Sequence, residues 1–250
     1  MHFDVVTLLP SVVEAYLDAS VLGRARKAGA FTARAVDLRP HGQGKHRQVD
    51  DAPYGGGAGM VLAAGPLVQA IEQCVEDASA PGRVGRVLMA PGGEVLDRHL
   101  AGRLARDYDH LVLVCGRFEG VDARVHEWID LSISLGDVVL TGGELAALAV
   151  VDSVCRLLPD VLGNAASAVD ESFEGPLLEY PQFTRPREFQ GREVPAVLLS
   201  GDHKAIARWR LRKAVQETRI FRPERLEDRA SLPKEVRELV EELDKVGAEE

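Results

Sequence analysis

The sequence has few aromatic residues, few cysteines and no long apolar run. Aromatic side chains make up 5% of its 250 residues, and cysteine occurs only at Cys74, Cys115 and Cys155. Three widely spaced cysteines without metal-ligand spacing argue against a disulfide framework or a zinc cluster, so we expect buried, reduced thiols in a cytoplasmic protein. No run reaches the roughly 18 apolar residues that span a membrane. The start of the chain lacks the basic residues of a signal peptide.

The chain also lacks the positive charge that is usual in nucleic-acid-binding proteins, since its formal net charge is −9. The charge is unevenly distributed, however. Residues 203–225 hold eight lysines and arginines against two glutamates, with Trp209 among them. Cations beside an aromatic ring suit contact with phosphates next to a stacked base. A solvated helix face would show the same pattern, and composition leaves both interpretations open.

Two nucleotide-binding motifs are missing as well. No Gly-Lys-Ser/Thr follows the triple glycine at 55–57, and no GxGxxG pattern follows a predicted strand. Segment 39–59, which contains the triple glycine, has too much glycine and proline for regular structure. A loop of this length in a compact domain is usually functional or disordered.

What the chain does contain is an alternation of apolar runs and longer periodic segments. The runs predict strands at 2–9, 31–38, 84–90, 111–114, 129–135 and 138–140, and the periodic segments predict helices at 11–19, 66–76, 97–106 and 144–158. This order predicts an α/β fold with a mainly parallel sheet and helices on both faces. General topology rules predict that the sheet is unknotted.

The domain organisation follows from a change in composition after the last of these helices. We predict an α/β domain at 1–162, a linker or mobile lid of small and polar residues at 163–175, and a small, mainly helical domain at 176–250. Periodicity predicts two helices in the last domain, at 202–217 and 233–246.

Glycine turns follow the central apolar runs. Three of them, at Gly116, at Gly136-Asp137 and at Gly142-Gly143, fall within about thirty residues, and Pro91-Gly92-Gly93 ends an earlier strand. One such turn would be an ordinary chain reversal. Several turns at the ends of parallel strands predict a shared ligand pocket, because glycine lets the backbone approach a ligand closely.

These turns also carry a family resemblance. The motifs are CGRFEG at 115–120, LGDVVLTGGELAAL at 135–148 and VDSVCRLLPDVLG at 151–163, joined by HRQVDDAPYGGGAGM at 46–60, FTRP at 183–186 and VLLSGDHKAIARWR at 197–210. Together they resemble the bacterial TrmD family of tRNA (guanine-N1)-methyltransferases, which belongs to the SPOUT class. The resemblance covers nearly the whole chain in order.

The resemblance implies a reaction and an assembly. It implies transfer of a methyl group from S-adenosyl-L-methionine to N1 of the guanosine at tRNA position 37, and a cofactor pocket built as a trefoil knot. It further implies a homodimer in which the lid of one subunit completes the pocket of the other. Mg²⁺ is associated with the family, although the sequence shows no metal-ligand cluster.

The resemblance also assigns residues to the cofactor. The matching positions are Leu88, Pro91, Gly93, Gly116, Glu119, Leu135, Gly136, Asp137, Val138, Val139, Leu140, Gly142 and Gly143. The chain departs from the family pattern at Phe118, where a tyrosine is usual, and at Ala90, where a serine is usual. The phenylalanine keeps the ring and loses the hydroxyl.

The expected catalytic residues are an arginine and a carboxylate. Arg156 matches the arginine that faces the target guanine, and its place in an apolar helix suggests a buried guanidinium. Asp50 matches an aspartate near it, and an Arg156–Asp50 ion pair is the structural alternative. The lid reads Asp170-Glu171-Ser-Phe where the family has a single aspartate before Ser-Phe. Counting without gaps from Arg156 assigns the general base to Glu171, and chemical identity favours Asp170.

The expected tRNA contacts lie in two places. They are His46, Arg47, Asp50 and Tyr54 around the glycine-rich loop, and Ser200, His203, Trp209 and Arg210 in the last domain. Trp209 could equally anchor the core. Two other functions remain open from the sequence: a catalytically silent tRNA-binding relative, and a nucleotide-binding α/β enzyme that uses the glycine turns for phosphate.

Overall fold

A computed structural model describes residues 1–77, 82–162 and 175–246. The chain divides into two compact units, Met1–Gly163 and Asn164–Glu250. Within the described ranges, no helix has the length and apolar character needed to cross a membrane.

In its described residues, the first unit consists of a central sheet, a short ribbon, five α-helices and short 3-10 turns. Its strands are β1 (His2–Thr7), β2 (Thr32–Asp37), β3 (Asp50–Asp51), β4 (Val61–Leu62), β5 (Val84–Val95), β6 (His110–Cys115) and β7 (Leu131–Ser134). Its α-helices are α1 (Pro10–Leu17), α2 (Ser20–Lys27), α3 (Ala64–Glu76), α4 (Arg98–Asp107) and α5 (Glu144–Cys155).

The central sheet is parallel throughout, in the order β2-β1-β6-β5-β7. Its middle strands are nearly continuous apolar runs, as in HLVLVC of β6, in which every residue is buried. Runs of this kind are typical of strands covered on both faces. The predicted mainly parallel α/β fold is therefore confirmed. All five strands also end at the same edge of the sheet, where a ligand site is expected.

Side-chain alternation along the strands divides the core into two layers. On one face, Phe3, Leu111 and Leu113 pack with α1, α2, α4 and α5. On the other, Val112 and Val114 pack with α3. Because successive side chains of a strand point to opposite faces, one apolar run supplies both layers. Helices on both faces were predicted and are present.

The chain crosses itself at the carboxyl edge of the sheet. After β7 it returns to the end of β6, where Gly142 pairs with Arg117 and the Gly143 amide donates to the Gly116 carbonyl at 2.8 Å. Because β5 lies between β6 and β7 in the sheet, this return passes the end of β5. The crossing fits the trefoil knot that the family resemblance implies, whereas topology rules alone predicted an unknotted sheet.

Two local predictions were wrong. Val138–Leu140 was predicted as a strand, but it forms an exposed loop in the return crossing. Its apolar side chains face the site described below, so hydrophobicity there does not indicate a core strand. The second helix, α2, was missed because its eight residues include four polar or charged side chains and a glycine.

The amino edge of the sheet contains a buried carboxylate. Asp4 is fully buried and accepts hydrogen bonds from Arg34 at 2.5 Å, from His110 at 3.0 Å and from His2 at 3.1 Å. Among the described residues, His2, Asp4 and His110 form the one group of three side chains with metal-ligand atoms within 4.8 Å of one another. Arg34 already binds this carboxylate, and its positive charge would repel a metal cation. We therefore interpret the group as an ion-pair network.

The second unit is small and mainly helical in its described part. It contains the hairpin strands β8 (Glu188–Phe189) and β9 (Arg192–Glu193) and the helices α6 (His203–Phe221) and α7 (Lys234–Val246). The side chain of Asp202 caps α6 by accepting from the amides of Lys204 and Ala205. An apolar core with Val215 and Val240 joins the two helices, and the expected helical C-terminal domain is present.

Candidate active site

The carboxyl edge of the sheet holds a cavity of about 290 Å³. It lies at the ends of β6 and β7 and beside the irregular part of β5 between Met89 and Glu94. Its walls come from this part of β5 and from the turns that follow β6 and β7. The lining residues include Leu88, Ala90, Pro91, Gly116, Arg117, Phe118, Glu119, Ile133, Leu135, Val138, Val139, Leu140, Gly142, Gly143 and Ala146. The volume is at the lower end of the range for small-molecule sites, and most of the lining is aliphatic or glycine.

Ten of the thirteen residues assigned to the cofactor by resemblance line this cavity. Gly93, Gly136 and Asp137 do not. A side chain at Gly93 would collide with the backbone of Ser132 and Ile133, so this glycine is required for packing of β5 against β7. Gly136 has φ +116, and its carbonyl accepts a hydrogen bond from Ser134 Oγ. Gly136 and Asp137 together form the outer turn.

Gly143 and Gly142 are required for different reasons. A Cβ at Gly143 would lie 2.8 Å from Cys115 Cα and 3.0 Å from the Gly116 amide nitrogen. Any larger residue would therefore separate the two crossing chain segments. A Cβ at Gly142 would instead collide with the side chains of Glu144 and Arg117. The sequence indicated close backbone approach at both positions but could not distinguish these causes.

The turn after β6 connects the cavity to the glycine-rich loop. Its amide at Glu119 donates to the Met60 carbonyl at 2.9 Å, and the Glu119 side chain packs against Gly59, which has φ +81. Phe118 adopts φ +59, which is rare outside glycine, and its ring is half exposed at the cavity. The end of the glycine-rich loop is thereby held beside the cavity.

Sequence reasoning missed a buried ion pair next to the cavity. Glu144, at the start of α5, is 4% exposed and accepts from Thr7 Oγ1 at 2.8 Å and from Arg117 Nη1 at 3.1 Å. Arg117 lines the cavity. The one signal available from the sequence was a glutamate opening an otherwise apolar helix, which ordinarily indicates only a favourable charge at a helix N-terminus.

Cys115 lies next to the crossing, and it is not a candidate nucleophile. Burial raises the pKa of its thiol well above the usual value, and the nearby Glu144 acts in the same direction. The thiol therefore stays protonated, as expected for a structural cysteine. Cys74 and Cys155 are also buried and free, which agrees with the prediction of reduced thiols.

The candidate RNA contacts of the first unit lie on the glycine-rich loop. His46 and Arg47 are exposed at the tip of a turn closed by reciprocal hydrogen bonds between Gln43 and Gln48. Tyr54 is fully exposed. Asp50 is partly buried in β3, where it pairs with Leu62. Exposed aromatic and cationic side chains on a defined loop suit contact with a nucleic acid.

Arg156 terminates α5 and is exposed. The expectation of a buried guanidinium was therefore wrong, because the helix ends at this residue and the side chain leaves the apolar layer. It borders a groove with Tyr16, whose hydroxyl donates to Asp152 at 2.6 Å. The preceding Cys155 packs on the α5 face of the sheet, whereas Val49, next to Asp50, packs on the α3 face. The main chain next to Arg156 and the main chain next to Asp50 thus lie beside opposite faces of the sheet.

The second unit contains a groove of about 550 Å³ that is lined by aromatic and cationic side chains. Trp209 is partly buried and its ring lies 6.1 Å from that of Phe183, so it contributes to the groove wall. Arg210 stacks over Tyr180 with its guanidinium carbon 4.9 Å from the ring centroid. Ser200 and His203 are exposed at the start of α6.

Ion pairs divide the basic residues of α6 into two groups. Arg212 pairs with Glu242 at 2.9 Å and Arg219 pairs with Asp244 at 3.1 Å, both on α7. Lys204 and Arg208 have no ion pair within the described residues and are exposed. Part of the positive charge in 203–225 is therefore neutralised within the unit, and part faces solvent. The predicted bases Asp170 and Glu171 lie outside the described residues, with most of the predicted lid.

Comparison with known proteins decides the family. The family model described as tRNA (Guanine-1)-methyltransferase TrmD matches residues 1–228. The chain belongs to the TrmD family. It is 54% identical over 243 residues to a tRNA (guanine-N(1)-)-methyltransferase of Anaeromyxobacter sp. (strain K), covering 96% of both chains. It is 46% identical to the enzyme of the same description from Moorella thermoacetica, over 97% of this chain and 96% of that one.

Solved structures agree with this membership. The crystal structure of the tRNA (m1G37) methyltransferase from Aquifex aeolicus superposes with a TM-score of 0.73 and 38% identity, covering 89% of this chain and 93% of that chain. A TrmD-family protein is a tRNA (guanine-N1)-methyltransferase, and nothing in the comparisons favours the alternative of a nucleotide-binding α/β enzyme. The family resemblance drawn from the motifs is thereby confirmed.

Proposed function

We propose that this chain transfers a methyl group from S-adenosyl-L-methionine to N1 of the guanosine at position 37 of tRNA. The observation that supports the proposal most directly is the aliphatic, glycine-walled cavity at the chain crossing of a TrmD-family fold. When bound, the cofactor supplies a methyl group that its sulfonium already activates. The protein then has to hold the two reactants in line and remove a proton.

The cavity walls fit the first of these tasks. Val138, Val139 and Leu140 are exposed apolar side chains that line the cavity. A bound cofactor would cover them and would exclude water from the reacting atoms. The backbone at Gly116 and Gly143 can approach a ligand without side-chain obstruction. We assign the cofactor to this cavity on these grounds.

The proton on guanine N1 requires a general base. We assign this role to Glu171, with Asp170 as the alternative, because the lid carries both carboxylates at the family's base position. Arg156 is our candidate for the group that stabilises charge developing on guanine O6, since a fixed cation lowers the energy of such a transition state. Its exposed place at the end of α5 leaves it accessible to a bound RNA.

The base assignment is tested by Glu171→Gln and Asp170→Asn. We expect Glu171→Gln to lower the single-turnover rate of methyl transfer by roughly 10²–10⁴-fold, as is typical for loss of a general base. Asp170→Asn should have a milder effect, and both variants should bind cofactor and tRNA normally. If Asp170→Asn is the inactive variant, the base is one residue earlier. If both variants stay active, the proton leaves by another route.

We further propose a homodimer with the active site at the subunit interface. The main chain next to Asp50 and the main chain next to Arg156 lie beside opposite faces of the sheet in one chain. In a dimer, Arg156 of one subunit could meet the pocket of its partner. Val12 and Tyr16 on α1 and Leu145 on α5 are exposed apolar side chains suited to such a contact. Sedimentation equilibrium tests the assembly, and mixing inactive Arg156→Ala with inactive Gly143→Val subunits should restore activity if the sites are shared.

The tRNA contacts are proposed on both units. The exposed His46, Arg47 and Tyr54 would contact RNA near the cavity, and the groove with Trp209 and Arg210 would receive a second part of it. A tRNA substrate implies a cytoplasmic location for the enzyme. Mg²⁺ follows from the family resemblance alone, and methyl transfer measured across an EDTA titration tests the requirement.

The experiment that tests the function is methyl transfer to an unmodified tRNA transcript. We expect methylated guanosine and S-adenosyl-homocysteine to form in equal amounts, and we expect neither with a transcript in which guanosine 37 is replaced by adenosine. Transfer to the replaced transcript would refute the position. Tight tRNA binding without any S-adenosyl-homocysteine would identify a catalytically silent relative.

A further inference from the structure

The cavity at the carboxyl edge contains one positive and one negative side chain. Of the residues that line it in the described part of the chain, only Arg117 and Glu119 are charged. The other lining residues are aliphatic side chains, glycines, a phenylalanine and small polar groups. Charges in an apolar cavity interact more strongly with a ligand than charges in water, so this pair restricts which ligands the cavity accepts.

Arg117 is held in place by a buried network. Its Nη1 donates to Glu144 Oε2, while Glu144 Oε1 accepts from Thr7 Oγ1. The Thr7 hydroxyl in turn accepts from the Leu9 amide at 2.8 Å. The carboxylate therefore has a donor on each oxygen, and its position is set by β1 and α5 together. The guanidinium side chain is 22% exposed, so its orientation is constrained as well.

The guanidinium retains donors that the protein does not use. An arginine carries five N–H donors, and the bond from Nη1 is the one side-chain hydrogen bond that Arg117 makes within the described residues. The remaining donors, which are the second N–H of Nη1 and those at Nε and Nη2, belong to a largely buried cation at a ligand cavity. Guanidinium binds carboxylates through such paired donors with well-defined geometry.

We propose that Arg117, held by Glu144, binds the carboxylate of the methionine part of S-adenosyl-methionine. The proposal rests on the assignment of this cofactor to the cavity. The methionine part carries a carboxylate and an ammonium group, which match Arg117 and Glu119 in sign. Glu144 acts as a positioning residue, because it reaches the cavity only through the arginine. The role of Gly142 follows, since any side chain there would displace the ion pair.

The wild-type protein provides the first test. Its affinity for S-adenosyl-methionine is compared by calorimetry with its affinity for decarboxylated S-adenosyl-methionine, which lacks only the carboxylate. We expect a preference of roughly 10- to 100-fold for the complete cofactor, as for loss of a hydrogen bond to a charged group. Equal affinities would overturn the proposal. Failure to bind either ligand would instead refute the cofactor assignment on which it rests.

Variants then locate the interaction. Arg117→Gln should abolish the preference by weakening binding of the complete cofactor while leaving the decarboxylated form within about twofold. Arg117→Lys, which keeps the charge and can still pair with Glu144, should retain part of it. Glu144→Gln should reduce the preference through the loosened arginine. Arg124→Gln, which breaks an exposed pair with Asp122, is the matched control and should retain the full preference.

The variants also separate binding from a structural role. If Arg117→Gln weakens both ligands equally, the arginine only shapes the cavity and the proposal is wrong. If it weakens neither, the carboxylate is bound elsewhere and the proposal is equally wrong. Thermal unfolding of each variant checks that it is folded, and the wild-type comparison stands even if one variant is not.

Discussion

The two edges of the central sheet each bury a carboxylate, and they use it differently. At the amino edge, both oxygens of Asp4 accept from charged or titratable side chains of the protein. At the carboxyl edge, Glu144 is also saturated, but its partner Arg117 lines a cavity and retains unused donors. The first network joins protein groups to one another, apart from the buried His110 Nδ1, which has no hydrogen-bond partner among the described residues, and we interpret its role as stabilisation of the fold. The second is open on one side and can bind something else.

The difference shows what makes a buried charge functional. Burial and an opposite charge are common to both edges, so neither identifies a site by itself. The distinguishing feature is a fixed partner with free hydrogen-bonding capacity beside a cavity. Four predictions test this contrast, and they are ordered from the largest expected effect to the smallest.

The largest effect is expected from removal of the carboxylate in the Asp4 network. Asp4→Ala leaves Arg34 and His110 without their buried anion and should lower the free energy of unfolding by about 3–5 kcal/mol, as for a broken buried ion pair. Chemical denaturation measures this change. Asp130→Ala, which breaks a partly exposed pair with Arg86, should cost at most about 1 kcal/mol. Cofactor affinity of folded Asp4→Ala should equal that of the wild type, and a loss would mean that the two edges are coupled.

The contribution of the Asp4 network to folding stability should depend on pH in the acidic range. Burial raises the pKa of the Asp4 carboxyl, but hydrogen bonds from His110, His2 and Arg34 outweigh it, and the folded-state pKa lies well below the usual value. Below about pH 4 the unfolded chain therefore takes up a proton that the folded chain does not.

The stabilisation from Asp4 should thus be complete above about pH 5, and below about pH 4 it should fall by about 1.4 kcal/mol for each pH unit. Asp4→Asn should lack this component, so the stability difference between the two proteins should shrink as the pH falls. Denaturation series at pH 2.5–5 provide the measurement. Parallel curves for the two proteins would show that Asp4 titrates normally.

A substitution at the carboxyl edge of the sheet should have a smaller effect on stability and a specific effect on cofactor binding. Gly143→Ala should push the crossing segments apart, because its Cβ would lie 2.8 Å from Cys115 Cα, at a destabilisation of about 1–3 kcal/mol. We expect at least a tenfold loss of cofactor affinity in the folded variant. Gly92→Ala is the control, since no atom lies within 4 Å of its added methyl group. An unaltered affinity in Gly143→Ala would contradict the placement of the cofactor.

The smallest effect is expected in the second unit, on the salt dependence of tRNA binding. The contrast there is between a paired arginine of α6 and one that is unpaired in the described part of the chain. Arg212 is paired with Glu242, whereas Arg208 has no ion pair within the described residues. Arg208→Ala should therefore reduce the slope of tRNA affinity against salt by about one phosphate contact, while Arg212→Ala should alter it less. Filter binding between 50 and 200 mM salt measures both slopes. Identical slopes for the two variants would mean that the ion pair with α7 does not keep Arg212 from contacting the RNA.

The sequence was sufficient for the features that depend on local pattern. Apolar runs indicated β1, β5 and β6, and glycine turns such as Gly142-Gly143 indicated where strand ends meet. Even so, the same reasoning wrongly predicted a strand at Val138–Leu140. It assumes that apolar residues belong to the core, whereas these three residues line a cavity. It also expected a buried Arg156, because periodicity does not determine where a helix ends.

Features that depend on distant pairing were beyond the sequence. Glu144 meets Thr7 across 137 residues and Asp4 meets His110 across 106 residues. Each partner alone is an ordinary polar residue, and only the parallel register brings them together. The resemblance to a known family supplied the knot and the reaction, which composition and periodicity could not.

The chain crossing at Gly116 and Gly143 should also make the stability of the folded protein depend on the concentration of its ligand. The cavity walls come from separate segments between Leu88 and Ala146 that meet only when the return from β7 is complete. An unfolded or partly threaded chain therefore has no cavity, and a ligand of the cavity binds only the finished fold. At a ligand concentration 100 times its dissociation constant, such selective binding stabilises the folded state by about 2.7 kcal/mol. The abundance of intact protein in a cell would then follow the concentration of the small molecule that it consumes.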